Sequence, residues 1–62
     1  MLSNREKQIL RLIGEGMPSK QIASRLGISV NTVSRHRQNI LARLSVGNSI
    51  EAYAAATAMK LL

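Results

Sequence analysis

The sequence has no cysteine, no aspartate, no tryptophan and no phenylalanine; Tyr53 is its sole aromatic residue and Pro18 its sole proline. Without cysteine, neither a disulfide nor a Cys-based zinc site can reinforce a chain of 62 residues, and a domain that short buries only about 60% of the surface its unfolded chain would expose. Stability must come from packed apolar side chains or from a partner. Acids are limited to Glu6, Glu15 and Glu51, and histidine to His36. That leaves little from which to assemble a catalytic triad or a closed metal site, so no enzyme, catalytic residue, metal or other cofactor is expected. The longest nearly apolar run, 52–59, falls far short of the ~20 residues that span a bilayer. The opening Met1-Leu2-Ser3-Asn4-Arg5 lacks the apolar stretch of a signal peptide. The expectation is a cytoplasmic domain with no membrane contact and no small-molecule ligand.

What is present narrows the class. At roughly 100–200 residues per typical domain, residues 1–62 hold one small domain or a fragment of something larger. Hydrophobic residues make up 45% of the chain, and with one aromatic the core must be built from Leu, Ile, Val, Ala and Met, a palette that favours helix. Nine Lys and Arg against three Glu give a net charge of +6 and a pI near 11.4, which points to a polyanionic partner.

Four helical segments separate along the chain. Ser3-Asn4-Arg5-Glu6 reads as a capping box, Ile9, Leu10 and Ile13 form one apolar stripe, and Gly16 with Pro18 supplies the stop, so helix 1 is expected over 4–15. Helix 2, over 19–26, repeats the stripe with Ile22, Ala23 and Leu26 and stops at Gly27. Ser29 is placed to cap helix 3, over 30–44, with Val30, Val33, Ile40, Leu41 and Leu44 gathered on one side. Asn31, Ser34, Arg35, Gln38 and Ala42 fall on the opposite side. A second box, Asn48-Ser49-Ile50-Glu51, opens helix 4, over 49–60. Glu6 and Glu51 both sit at the third helical position, where capping and the macrodipole favour an acid, so both are expected to be structural. No useful alternation of period two, repeat or low-complexity tract is present. The fold is therefore expected to be all-α, a four-helix bundle.

Helices 2 and 3 are joined by Gly27-Ile28-Ser29. Two helices crossing through so tight a turn need a small residue where their axes approach, a residue at ease at positive φ, and a stiff apolar wedge. Ala23, Gly27 and Val33 meet those needs in turn, and their spacing of 0, +4 and +10 is that of a helix-turn-helix. Any helical hairpin has a glycine turn and small residues, so the charge pattern has to decide. Asn31, Ser34, Arg35 and Gln38 are of the kinds that read base edges in the major groove. Lys20, Arg37 and Arg43 around them suit phosphates, and the face carries no acid.

Leu2-Ser3-x-Arg5-Glu6-x-x-Ile9-Leu10, Gly16, Lys20-x-Ile22-Ala23-x-x-Leu26-Gly27-Ile28-Ser29, Thr32-Val33-x-x-His36 and Asn39-Ile40-x-x-Arg43-Leu44 resemble the C-terminal DNA-binding domain of LuxR/GerE-type bacterial transcription regulators, from Leu2 to about Ala56. The resemblance implies a helix-turn-helix in the middle pair of helices, a third helix reading the major groove and a fourth that commonly dimerises. It also implies the effector part of a longer regulator, of the kind that carries an N-terminal sensor or receiver domain. Carried over by position, Lys20 matches a basic residue at the start of helix 2 and Thr32 a hydroxyl near the start of helix 3, both set against phosphates. Asn31, Ser34, Arg35 and Gln38 are the candidates for base readout. Ser34 stands where the family often has Lys, which puts a direct base contact there in question. Arg35 is the main candidate for specificity, because a guanidinium can bond O6 and N7 of guanine together.

Three positions keep a plainer reading beside the functional one. His36 falls on the flank of helix 3 and as a metal ligand would stand alone; a structural or phosphate-facing histidine fits better. Arg37 projects near the apolar stripe, so its stem can cover the core while its head reaches the DNA backbone, and a solvated arginine fits the same position. On helix 4, Ile50, Ala54 and Leu61 lie on one side and Ala52, Ala55, Ala56 and Met59 on another. One side can cover helices 1 and 3 and the other, Ala52, Ala55, Ala56 and Met59, can meet a second copy; alanines chosen for helix propensity alone are the plain alternative.

The sequence thus points to sequence-specific binding of double-stranded DNA by a homodimer at a near-palindromic operator. A different class, a protein-interaction module whose charge only keeps it soluble, would bind without salt dependence. The promoter-reading domain of a sigma factor shares the helix-turn-helix but needs no fourth helix, and a basic membrane-surface helix fits poorly with the turn chemistry and a lone tyrosine.

Overall fold

A computed structural model describes residues 1–62 as four α-helices and no strand: α1 Asn4–Gly14, α2 Ser19–Leu26, α3 Val30–Leu44 and α4 Ser49–Ala58. Three of the four helix starts carry the side-chain caps expected of them. Ser3 Oγ accepts from the Glu6 N–H at 3.0 Å while Glu6 Oε1 accepts from the Ser3 N–H at 2.9 Å, closing the first box. Ser29 Oγ accepts from the Thr32 N–H at 3.0 Å at the head of α3. The second box closes by half. Asn48 Oδ1 accepts from the Glu51 N–H at 2.9 Å, but Glu51 Oε2 accepts from the N–H of Gly47, one residue before the cap, at 3.2 Å.

Two helix ends fall short of the expected boundaries. α1 stops at Gly14 rather than 15, with Gly16 at φ +84° turning the chain. α4 stops at Ala58 rather than 60 because Lys60 enters the left-handed region at φ +58°, and the Leu61 N–H returns to the Ala56 carbonyl at 2.8 Å. That closure brings Leu61 and Leu62 back against the core. The end of α3 uses the same device without a glycine. Ser45 sits at φ +54° and the Val46 N–H reaches the Leu41 carbonyl at 3.1 Å. An L-residue in that conformation costs roughly 1 kcal/mol. Ser45→Gly is therefore expected to raise stability by about 0.5–1 kcal/mol, measured as a higher urea midpoint with an unchanged slope.

The core is one cluster drawn from all four helices: Leu2, Ile9, Leu10, Leu12, Ile22, Ala23, Val33, Ile40, Ala52 and Ala56. α1 packs on α3 and α4, and α2 packs on α3. Because α1 has two neighbours, its buried surface is wider than the expected stripe and takes in Leu12. Val30, expected on the packing side of α3, is the first residue of that helix and is 43% exposed. No helix is long and apolar enough to cross a membrane.

α4 corrects the sequence reading. Ala52 and Ala56, expected at a dimer interface, are 1% and 0% exposed and belong to the core. Ala55 is half-buried, and of the four expected interface residues only Met59 is exposed. The free side is the opposite one, with Ile50 80% exposed beside exposed Ala54 and Thr57. At the α1–α4 contact the ring of Tyr53 lies over Gly14, where an added Cβ would overlap it, and α4 buries Ala52 and Ala56 where it packs on α1 and α3.

Candidate nucleic-acid interface

The helix-turn-helix forms as its residues require. Ala23 is 4% exposed and Val33 is fully buried, so small residue and wedge meet where α2 crosses α3. Gly27, at φ +69°, ends α2 in the left-handed region, and the Ile28 N–H closes on the Ala23 carbonyl at 3.0 Å. Ile28 and Leu26 pack against the core from the turn.

With Val33 and Ile40 held inside, α3 turns Asn31, Ser34, Arg35, Gln38 and Ala42 to solvent. All four expected base-reading residues are exposed together on one helix with no acid in it. The helix is 15 residues long, about 22 Å at 1.5 Å per residue, so it can lie along a groove. Lys20, the second residue of α2, is exposed beside the free N–H groups of that helix end. Thr32 is half-buried, and its hydroxyl lies 2.9 Å from Ser29 Oγ, which fixes its rotamer at the head of α3.

Two of the expected phosphate contacts are hydrogen-bonded within the domain. Arg43 Nη1 donates to Glu6 Oε1 at 3.0 Å and to the Met1 carbonyl at 2.7 Å. Glu6, 3% exposed, is the one buried charged side chain. Arg37 donates through Nη1 to Ser19 Oγ at 2.7 Å, and through Nε and Nη2 to Ser49 Oγ at 3.1 and 2.7 Å. An acid on the inner side of α1 and two hydroxyls at neighbouring helix starts thus hold the two guanidiniums within the domain. Arg43→Met would leave the Glu6 carboxylate buried with only the Ser3 N–H. We expect a loss of about 1–3 kcal/mol, read as a lower urea midpoint. Arg5→Met, whose guanidinium meets only Gln8 in the open at 3.3 Å, should cost far less.

The sequence reading also missed a second basic surface, where Arg5, Lys7 and Arg11 line a polar depression on α1 with Asn4 and Gln8. Their spacing of i, i+2 and i+6 was visible, but nothing local marked the group as one surface. His36 is half-buried on the flank of α3.

A helix-turn-helix closed by two further helices, with one polar, acid-free helix face turned outward, defines a DNA-binding domain. Residues 1–56 match the model of the bacterial regulatory proteins of the luxR family, GerE. The chain belongs to that family, one of DNA-binding transcription regulators, and this agrees with the family resemblance. It is 44% identical over 50 residues to the transcriptional regulatory protein UhpA of Salmonella typhimurium, covering 81% of this chain and 26% of that protein. It is 44% identical over 59 residues to the regulatory protein SdiA of Escherichia coli, covering 92% and 25%. The crystal structure of ChrA, a response regulator in a heme-sensing two-component system, superposes with a TM-score of 0.96 at 37% identity, covering 100% of this chain and 31% of that one. The chain thus spans about a quarter to a third of the length of these relatives.

Proposed function

We propose that this domain reads a specific sequence of double-stranded DNA with α3 in the major groove, as the effector part of a longer bacterial transcription regulator. The observation that carries the reading is the shared exposure of Asn31, Ser34, Arg35 and Gln38 on an acid-free α3. These side chains supply the donors and acceptors that distinguish base edges. Lys20, the open N-terminus of α2 and Thr32 hold the backbone on either side. The relatives support the reading: UhpA is a transcriptional regulatory protein and ChrA a response regulator.

Two copies act together. The domain measures 28 × 19 × 19 Å, shorter than the ~34 Å between half-sites one helical turn apart, so a near-palindromic operator requires a homodimer. Its seam is the outward side of α4, at Ile50, Ala54 and Thr57, since Ala52 and Ala56 lie in the core.

Selection from a random duplex library, followed by titration of the winner and a scrambled control at two salt concentrations, tests this. An enriched inverted repeat with steep salt dependence is the expected result. Salt-dependent binding with no enriched motif would remove the base-reading role, and salt-insensitive capture of a protein through Ile50 would favour an interaction module.

A further inference from the structure

The Arg37 guanidinium lies where three helices meet. Ser19 is the first residue of α2 and Ser49 the first residue of α4, and Arg37 comes from the middle of α3. Nη1 bonds one hydroxyl at 2.7 Å; Nε and Nη2 straddle the other at 3.1 and 2.7 Å. These are the only side-chain hydrogen bonds that join α2 or α4 to α3. The geometry depends on a planar fork. A guanidinium presents five N–H donors in fixed directions, three of which are used here, whereas an ammonium on a flexible stem is a point charge without that shape. Arg37 is half-buried, so the bonds are shielded in part from competing water.

The neighbour of Ser19 is Lys20, the proposed phosphate anchor. Ile22, Ala23 and Val33 pack α2 into the core, and Ser19, about one helical turn before Ala23, is tied to α3 by the Arg37 bond alone among side-chain hydrogen bonds. We propose that Arg37 is a positioning residue for DNA binding: it holds the head of α2 against α3, so that Lys20 meets the backbone while α3 lies in the groove. Ser49 braces the guanidinium from the other side. A hydroxyl on α4, outside the proposed interface, thereby sets DNA affinity. This rests on the DNA-reading assignment above, and the test separates the two.

Three variants are compared with wild type: S49A, R37K, and the double variant. Each is measured for affinity to the selected duplex across a salt series and for the backbone amide resonances of residues 19–22 in the free protein, with helicity and thermal unfolding as the folding check. S49A and R37K should each weaken binding about tenfold and lower the salt slope by no more than Lys20→Ala does, because the phosphate contact they loosen is that of Lys20. Both should move the amide resonances of 19–22, and the double variant should bind no more weakly than R37K alone. Wild-type affinity in folded S49A would overturn the brace, as would still amide resonances in both single variants. Wild-type affinity in R37K would overturn the fork. A salt slope lowered by Arg37→Met that adds to the loss in Lys20→Ala when the two are combined would make Arg37 itself a phosphate ligand and end the proposal. Should wild type bind no duplex at all, the DNA-reading assignment falls; the amide resonances then decide the bracing of α2 by themselves.

Discussion

Ile40→Ala is expected to lower the stability of the domain by about 2–5 kcal/mol, enough to bring it to the edge of unfolding at room temperature. Ile40 comes from the middle of α3, is 1% exposed and lies in the single cluster to which all four helices contribute. Deleting its outer carbons removes transfer free energy and leaves a cavity whose lining belongs to several helices at once. A small domain has little in reserve. At about 0.05–0.15 kcal/mol per residue, 62 residues hold only about 3–9 kcal/mol, and no disulfide limits the unfolded chain. Urea unfolding followed by far-ultraviolet circular dichroism checks this, with Ile40→Val, expected to lose about 1 kcal/mol, as the graded control. If the alanine variant unfolds at the same urea concentration as the valine variant, the core is not one cooperative cluster. DNA binding by Ile40→Ala should recover when saturating duplex is present, because a ligand that binds only the folded state draws the equilibrium toward it.

Local chemistry was the legible part of the fold. Caps at Ser3, Ser29 and Asn48 and the turn at Gly27 depend on residues within a few positions of one another, and each forms where the sequence places it. Ends governed by less usual residues were harder to place. Ser45 and Lys60 take left-handed conformations that glycine would have advertised. The face of α4 was misread because a helix apolar on most sides has no stripe to follow. Size misled as well: Ile50 is the larger side chain but is exposed, while Ala52 and Ala56 are buried where α4 packs on α1 and α3. Only the packing partner decides such a case.

The buried pair and the arginine fork show a further boundary. Glu6 lies on the same side of α1 as Ile9 and Leu10, so its burial could have been read from the helical period. Its partner could not, since Arg43 is 37 positions away. Arg37 presents the same difficulty twice, with hydroxyls 18 and 12 positions off. The exposed residues of α3 needed no such partner. Once Val33 and Ile40 are inside, geometry alone puts Asn31, Ser34, Arg35 and Gln38 outside.

That exposed face gives the second large expected effect. Arg35→Ala should lower affinity for the selected duplex by about 1–3 kcal/mol, roughly 5-fold to 150-fold, while leaving binding to scrambled DNA nearly unchanged. The asymmetry follows from what a guanidinium does at a base edge: two donors spaced to meet O6 and N7 of guanine gain nothing from a base pair that lacks both acceptors. Arg35 is exposed and has no hydrogen bond within the protein, so its removal should not disturb the fold. Lys20→Ala is the counterpart. A phosphate contact carries no sequence, so this variant should weaken binding to cognate and scrambled duplex alike and reduce the salt slope by about one. The pair of variants separates reading from holding. Repeating the library selection with Arg35→Ala should relax the preference at one position in each half-site, since each copy of the domain presents one Arg35. Equal losses on cognate and scrambled duplex for Arg35→Ala would make it a backbone contact and move base readout to Asn31 and Gln38, which can pair in bidentate fashion with adenine.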